Sequence, residues 1–164
     1  MNKKNTPQPN EQETSRSEME ERADETRELL NLVTQETRFV LIQNVIAHPE
    51  GMPSLKELVY ANPSKSKTTI RNHLDKLIDA DIVEPVELPK DRRQRDLPYR
   101  FYRLTDWARG FLEAHDLLRA EETLREMHSM LEKTDEIRRY VDAPRPDAGT
   151  SDEDAGDSRR VAQP

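Results

Sequence analysis

Residues 66–83, SKTTIRNHLDKLIDADIV, constrain this chain more than any other stretch. Ile70, Leu74, Leu77 and Ile78 recur at helical spacing and share one face. Ser66 stands where its hydroxyl can accept an orphan N–H of the first turn. Lys67, Thr68, Arg71, Asn72 and Lys76 lie beside or opposite the apolar stripe. The expected helix packs on one side and presents donors and positive charge on the other. An ordinary amphipathic surface helix would look the same in isolation, so the flanking sequence has to separate the two.

Upstream, Ser54 and Glu57 have the spacing of a capping box. A short helix carrying Leu55, Leu58 and Val59 should follow, and Asn62-Pro63-Ser64 is a turn signal. Two short helices joined by a tight turn, the second bearing exposed donors, describe a helix-turn-helix. Downstream, residues 82–88 form an extended run in which Pro85 suits only an edge strand. Residues 90–96, KDRRQRD, make a charged loop. Residues 99–104, YRFYRL, alternate and are rich in aromatics, as a strand requires. Strand, basic loop, strand is a β-hairpin with a cationic tip.

The remaining chain sets the domain limits. Residues 1–20 are polar, with almost no apolar side chains, and are expected to be a disordered tail. The domain proper should span residues 21–105. Thr34 is the expected cap of a helix through Phe39, Val40, Leu41, Ile42, Val45 and Ile46, the buried spine, which Pro49 and Gly51 end. Thr105-Asp106 should open one long last helix over residues 106–141, with Trp107, Phe111, Ala114 and Leu118 turned to the domain. Leu117, Leu124 and Leu131 recur every seven residues, with Ala120 and Met127 between. That short heptad seam is the expected dimer interface, with packing on the helix's own domain as the alternative. Residues 142–164 turn acidic and rich in Pro and Gly, and are expected to be a disordered tail.

The 164-residue chain carries 26 basic and 33 acidic side chains, a net charge of −7 that argues superficially against a polyanionic partner. The distribution reverses this. Residues 54–105 carry 11 basic against 8 acidic side chains, and both flanks are acidic. Local field, not total charge, steers a polyanion. Arg outnumbers Lys 18 to 8 over an acidic total, a pattern expected of a salt-loving prokaryote such as an archaeon; an acidic bacterial or eukaryotic protein is the alternative. The chain has no cysteine and so no thiolate metal site or disulfide. No apolar run is long enough to span a membrane and no secretory leader opens the chain, so a cytoplasmic protein is expected. His128 and Glu132 supply two metal ligands at most, short of a closed site. None of the four glycines makes a phosphate-cradling loop, and no nucleophile elbow is present. No cofactor, metal or catalytic activity is expected.

The order helix, helix-turn-helix, basic hairpin, long helix resembles a winged helix-turn-helix transcription regulator of the ArsR-like and MarR-like neighbourhood. Leu29-Leu30 followed by Thr37-Arg38-Phe39 resembles the ArsR-like opening helix. Residues 66–74, then Leu77 and Ile82-Val83, resemble its recognition helix and first wing strand. The turn at 62–65 lacks the usual Gly, and the Cys-based metal motif of metal-sensing members is missing. The resemblance covers residues 27–131. It implies a mainly α fold with a two-stranded β-wing, and sequence-directed binding of double-stranded DNA by a homodimer, repressing more often than activating, with no effector indicated.

In that frame Lys65, Ser66, Lys67, Thr68, Thr69, Arg71, Asn72 and Lys76 are the expected contacts from the recognition helix. Arg reads guanine and Asn reads adenine in a major groove. Lys90, Arg92, Arg93 and Arg95 are the expected wing contacts, supplying charge to phosphate or the minor groove. Asp75 and Asp79 would repel phosphate, which should keep the C-terminal half of that helix out of the groove. A winged-helix module that binds protein, or a replication or RNA accessory factor, are the alternatives.

Overall fold

The computed structural model describes residues 10–147. Helix α1 (Glu11–Thr34) runs into α2 (Glu36–Ala47) through one residue, Gln35. Gln35, not Thr34, caps α2, its side-chain oxygen accepting the Arg38 backbone N–H at 3.0 Å. The Thr34 hydroxyl turns back to the Leu30 carbonyl at 2.6 Å and belongs to α1. Residues 11–20, expected in the disordered tail, are instead helical. They contain no Pro or Gly, their Glu and Arg side chains favour helix, and Arg16 and Glu20 pair at 3.1 Å one turn apart. The sequence carries no apolar stripe there because this helix is polar all round and buries nothing before its last two turns.

α2 is the spine. Leu41, Ile42, Val45 and Ile46 are buried and meet Leu58 of α3 (Leu55–Ala61) and Ile70, Leu74 and Leu77 of α4 (Lys67–Asp79) in one core. α4 ends at Asp81, whose φ of 58° is left-handed, a conformation a short polar Asp tolerates. The Ile82 N–H reaches the Leu77 carbonyl at 2.9 Å and the Asp81 N–H reaches Ile78 at 2.9 Å, which satisfies the last carbonyls and turns the chain into a strand.

Strand β1 (Val83–Glu87) pairs antiparallel with β2 (Arg100–Leu104), Val83 opposite Leu104 and Pro85 opposite Tyr102. Pro85 lies on the outer edge, as its missing N–H demands. The other edge of β2 is held by the Tyr102 N–H donating to the Pro53 carbonyl at 3.0 Å, so the wing base is bonded to the approach to α3.

The single long helix expected over 106–141 is three: α5 (Asp106–Ala114), α6 (Glu121–Ser129) and α7 (Asp135–Asp142). Asp116, φ 60°, breaks the first, with the Leu117 N–H on the Leu112 carbonyl at 2.8 Å and the Asp116 N–H on Glu113 at 3.1 Å. Thr134 caps α7, its hydroxyl accepting the Ile137 N–H. α6 folds back on α2, and α7 on α3. The five seam residues accordingly share no helix face. Leu117 lies between helices and packs on the core, Leu124 is half-buried, and Ala120, Met127 and Leu131 are exposed. The expected C-terminal tail also starts later than residue 142, because Ala143 and Arg145 are buried. Residues 148–164 of that tail, and 1–9 of the other, lie outside the described residues.

Candidate nucleic-acid interface

The N-terminal half of α4 stands at the surface because Ser66 caps it there. The Ser66 hydroxyl accepts the Thr69 backbone N–H at 3.1 Å and meets the Thr69 hydroxyl at 2.9 Å. Ser66 and Thr69 are therefore engaged with each other, which fixes the helix start rather than leaving both hydroxyls open. Lys65, Lys67, Thr68, Arg71, Asn72 and Lys76 are all exposed. None of these four cations has an ion-pair partner among the described residues. Their field is felt nearby. Burial first, then the charges of Arg38, Lys76 and Lys65, hold the half-buried His73 below the ordinary histidine value of 6.5.

Lys67 and Arg71, one turn apart, line an open groove of about 920 Å³. Tyr99 and Arg100 from the hairpin and Tyr140 of α7 also line it. Asp75 also lines this groove, so its acidic boundary starts one turn beyond Arg71.

The wing loop is closed at its base by the Leu88 N–H donating to the Tyr99 carbonyl at 2.8 Å. A 3₁₀ turn, Lys90–Arg92, opens the loop and leaves Lys90, Arg92 and Arg95 exposed with no ion partner among the described residues. Arg93 differs from its neighbours. It donates to the Leu88 carbonyl at 2.9 Å and to Glu87 at 3.0 Å, and its guanidinium lies 4.2 Å from the Tyr99 ring centroid. Of the expected wing cations, Arg93 is the one occupied in shaping the loop.

Behind the groove lies a buried polar cluster that the sequence did not reveal. Glu57 bonds the Ser54 N–H and the Ser54 hydroxyl, both at 2.7 Å, completing the capping box of α3. Its other oxygen meets His48 Nε2 at 3.0 Å. His48 Nδ1 accepts the Glu50 backbone N–H at 3.1 Å, which assigns the proton to Nε2 and makes that nitrogen the donor to Glu57. Arg145 completes the cluster, Nη2 donating to Glu57 at 2.9 Å and Nε to the Met52 carbonyl at 3.2 Å. Its remaining nitrogen donates to the carbonyls of Tyr140, Val141 and Ala143. Burial alone would raise the Glu57 pKa, but the His48 hydrogen bond, the Arg145 charge and the Ser54 donors outweigh it and hold the carboxyl below its ordinary value. The cluster joins residue 145 to the first turn of α3 and so braces the helix-turn-helix from behind. The Ser54–Glu57 spacing was visible in the sequence; a lone Arg between two prolines carries no signal that it is buried.

Among the described residues no group of three or more His, Cys, Asp or Glu side chains could hold a metal ion, and no helix is long and apolar enough to cross a membrane.

No family model and no curated protein matches the chain. Among solved structures it is similar to a protein with a GntR superfamily winged-helix-turn-helix domain from Halomicrobium mukohataei. The TM-score is 0.71 at 28% identity, over 88% of this chain and 94% of that one. It also matches the transcriptional repressor BigR from Xylella fastidiosa, with a TM-score of 0.46 at 27% identity over 65% of this chain and 96% of that one. The fold is thus a winged helix-turn-helix, mainly α with a two-stranded antiparallel wing.

Proposed function

We propose that this protein is a DNA-binding transcriptional regulator, acting as a repressor and performing no catalysis. The observation that carries this reading is the set of unpaired cations, Lys65, Lys67, Arg71 and Lys76, on the solvent face of α4, beside a hairpin whose tip adds Lys90, Arg92 and Arg95. The first half of α4 enters the major groove, with Arg71 and Asn72 reading base edges. The wing cations lie on phosphate. The ArsR-like pattern of residues 66–83 and the Halomicrobium mukohataei protein with this fold support a regulator from a salt-loving archaeon, working in the cytoplasm.

Selection of bound duplexes from a random pool tests this reading. One sequence should emerge, and Arg71→Ala should cost about 1–3 kcal/mol on it while relaxing preference at one base position. An unselective pool, or a specificity profile unchanged in the variant, overturns the assignment of α4.

A homodimer belongs to the same reading, with a different contact from the five-residue seam. Met127, Met130 and Leu131 are 60%, 80% and 52% exposed at the end of α6, an apolar patch that one chain leaves bare. Pairing of two such patches would make the selected sites inverted repeats, with half-site centres about 34–36 Å apart.

A further inference from the structure

We propose that Lys56 of α3 is a further contact to the DNA backbone, and that Glu136 of α7 competes with phosphate for it. The proposal rests on the reading of α4 and the wing as a DNA-binding face.

The first observation is where Lys56 lies. It lines the same groove as Lys67 and Arg71 of α4 and Arg100 of the hairpin. Asp75 is the carboxylate that lines the groove with these four cations. Lys67 and Arg71 have no ion-pair partner among the described residues. Arg100 lies 3.7 Å from Glu87, a carboxylate that Arg93 also takes at 3.0 Å. Lys56 differs from all three. Its ammonium is paired with Glu136, which belongs to neither the helix-turn-helix nor the wing.

The second observation is how Glu136 is held there. α7 packs on α3 through the buried Ile137. Just before α7 the Glu132 carbonyl accepts the Tyr60 hydroxyl at 2.8 Å. At its other end Arg145 donates to the carbonyls of Tyr140 and Val141 at 2.7 and 2.6 Å. Glu136 and Tyr140, one turn apart, therefore converge on one lysine, whose nitrogen lies 4.8 Å from the Tyr140 ring centroid. The hydrogen bond from Lys56 and then its charge hold the Glu136 carboxyl below its ordinary value of 4.5, and the charge of Arg139 adds to this. Asp135, the neighbouring acid, is turned to Arg138 at 3.5 Å.

The third is exchange. The Lys56 and Glu136 side chains are 41% and 51% exposed, so solvent and salt screen the pair and its loss costs the fold little. A phosphate held near Lys67 and Arg71 offers Lys56 an equivalent anionic partner. If Lys56 takes it, Glu136 is left to gather a counterion as the phosphate sheds one. The exchange then gives almost no net counterion release in the wild type. Without the Glu136 charge, the same contact becomes a full gain. The pair thus sets how tightly the face holds any duplex, and the sequence preference stays with α4.

The test measures random-sequence duplex and the selected site over a salt series. The proteins are the wild-type chain, Glu136→Gln, Lys56→Ala and the double variant, each with an unchanged circular dichroism spectrum. Glu136→Gln should bind both duplexes about fivefold more tightly at low salt, with the slope of log K against log salt steeper by up to about 0.9. In the Lys56→Ala background the same substitution should gain less than about twofold and leave the slope alone. An equal gain with and without Lys56 would assign the effect to the general field of Glu136 and overturn the proposal. Unchanged affinity in Glu136→Gln would overturn it too. A wild-type chain that binds no duplex would refute the DNA reading and this contact with it, whereas a wild type that binds, with a gain indifferent to Lys56, refutes the contact alone.

Discussion

Arg145→Met should destabilise the domain by about 3 kcal/mol, at the lower end of the 3–5 kcal/mol expected when one partner of a buried ion pair is removed. Arg145 and Glu57 side chains are 2% and 6% exposed, so solvent cannot replace the lost charge. Two features set the value low in that range. Glu57 keeps the Ser54 donors and the His48 Nε2–H after the substitution, so it is left underpaired and not bare. Met also keeps an apolar stem of similar length in the buried site, although the guanidinium carbon that lies 4.7 Å from the Phe101 ring centroid is lost. The loss also includes four backbone carbonyls, of Met52, Tyr140, Val141 and Ala143, that lose their guanidinium donor. For a folded unit of this size the fall in melting temperature should be about 10 °C. Urea unfolding followed by circular dichroism measures it, and a double-mutant cycle with Glu57→Gln isolates the pair. The two single substitutions should each be costly and the double much less than additive, because neutralising Glu57 removes the charge that Arg145 balances. A loss below about 1 kcal/mol for Arg145→Met, with additive behaviour in the cycle, would mean that residues 143–147 do not sit on the domain in solution.

Lowering pH should destabilise the protein in two separable steps. His73 and His128 are held below their ordinary value of 6.5, mainly by burial, so the unfolded chain binds more protons and stability declines as pH falls below about 6.5. Glu57 is held below its ordinary value of 4.5, so its contribution is complete above that pH and is lost as pH falls through the lower folded value; Glu57→Gln should flatten this acid limb alone in pH-dependent melts. Changing Lys90, Arg92 and Arg95 to Ala should reduce the slope of log K against log salt on the selected site by up to about three units, at about 0.9 per phosphate contact, with the preferred sequence unchanged; an identical slope places the wing off DNA. Met130→Asp should give a folded monomer by light scattering and remove any concentration dependence of the melting temperature, whereas a wild type that is already monomeric sinks the dimer. Asp116→Gly should be neutral or slightly stabilising, since the left-handed backbone there favours Gly, and Asp116→Val should destabilise by about 1 kcal/mol or more in the same unfolding assay.

The elements legible in the sequence were those whose signal is local and repeated. Ile70, Leu74 and Leu77 announce one face of α4, Ser66 its start, and the alternation of residues 99–104 a strand, and each is where it was expected. Capping chemistry was equally readable at Ser54–Glu57, because both partners of the box lie within one turn. The helix ends after α4 and α5 were not readable in the same way. Both are left-handed aspartates, Asp81 and Asp116, and Asp is common enough in helices that neither marks a stop on its own. At Asp81 the following Ile82-Val83 run supplied the missing cue. At Asp116 the next residues, Leu117 and Leu118, continue an apolar period, and the continuous heptad was the consequence.

The functional face divides along the same line. Which cations of α4 are exposed follows from the apolar period, so Lys67, Arg71 and Lys76 could be placed from the sequence alone. In the wing, charge without periodicity gave four equivalent candidates, and only tertiary geometry separates Arg93, bonded to Leu88 and Glu87, from Lys90, Arg92 and Arg95. Arg145 is the extreme case, since its partner Glu57 lies 88 residues away and nothing nearby marks it. Its placement still matters for the face it does not touch. Glu57 caps the first turn of α3, α3 packs on α4, and the Tyr102 N–H ties the wing base to Pro53 just before that cap. α4 and the wing are thus referred to one buried carboxylate. Loosening it should disturb their relative position, so Arg145→Met should weaken binding to the selected site even at a temperature where the variant is fully folded. A folded variant with undiminished affinity would show that α4 and the wing hold their geometry without it.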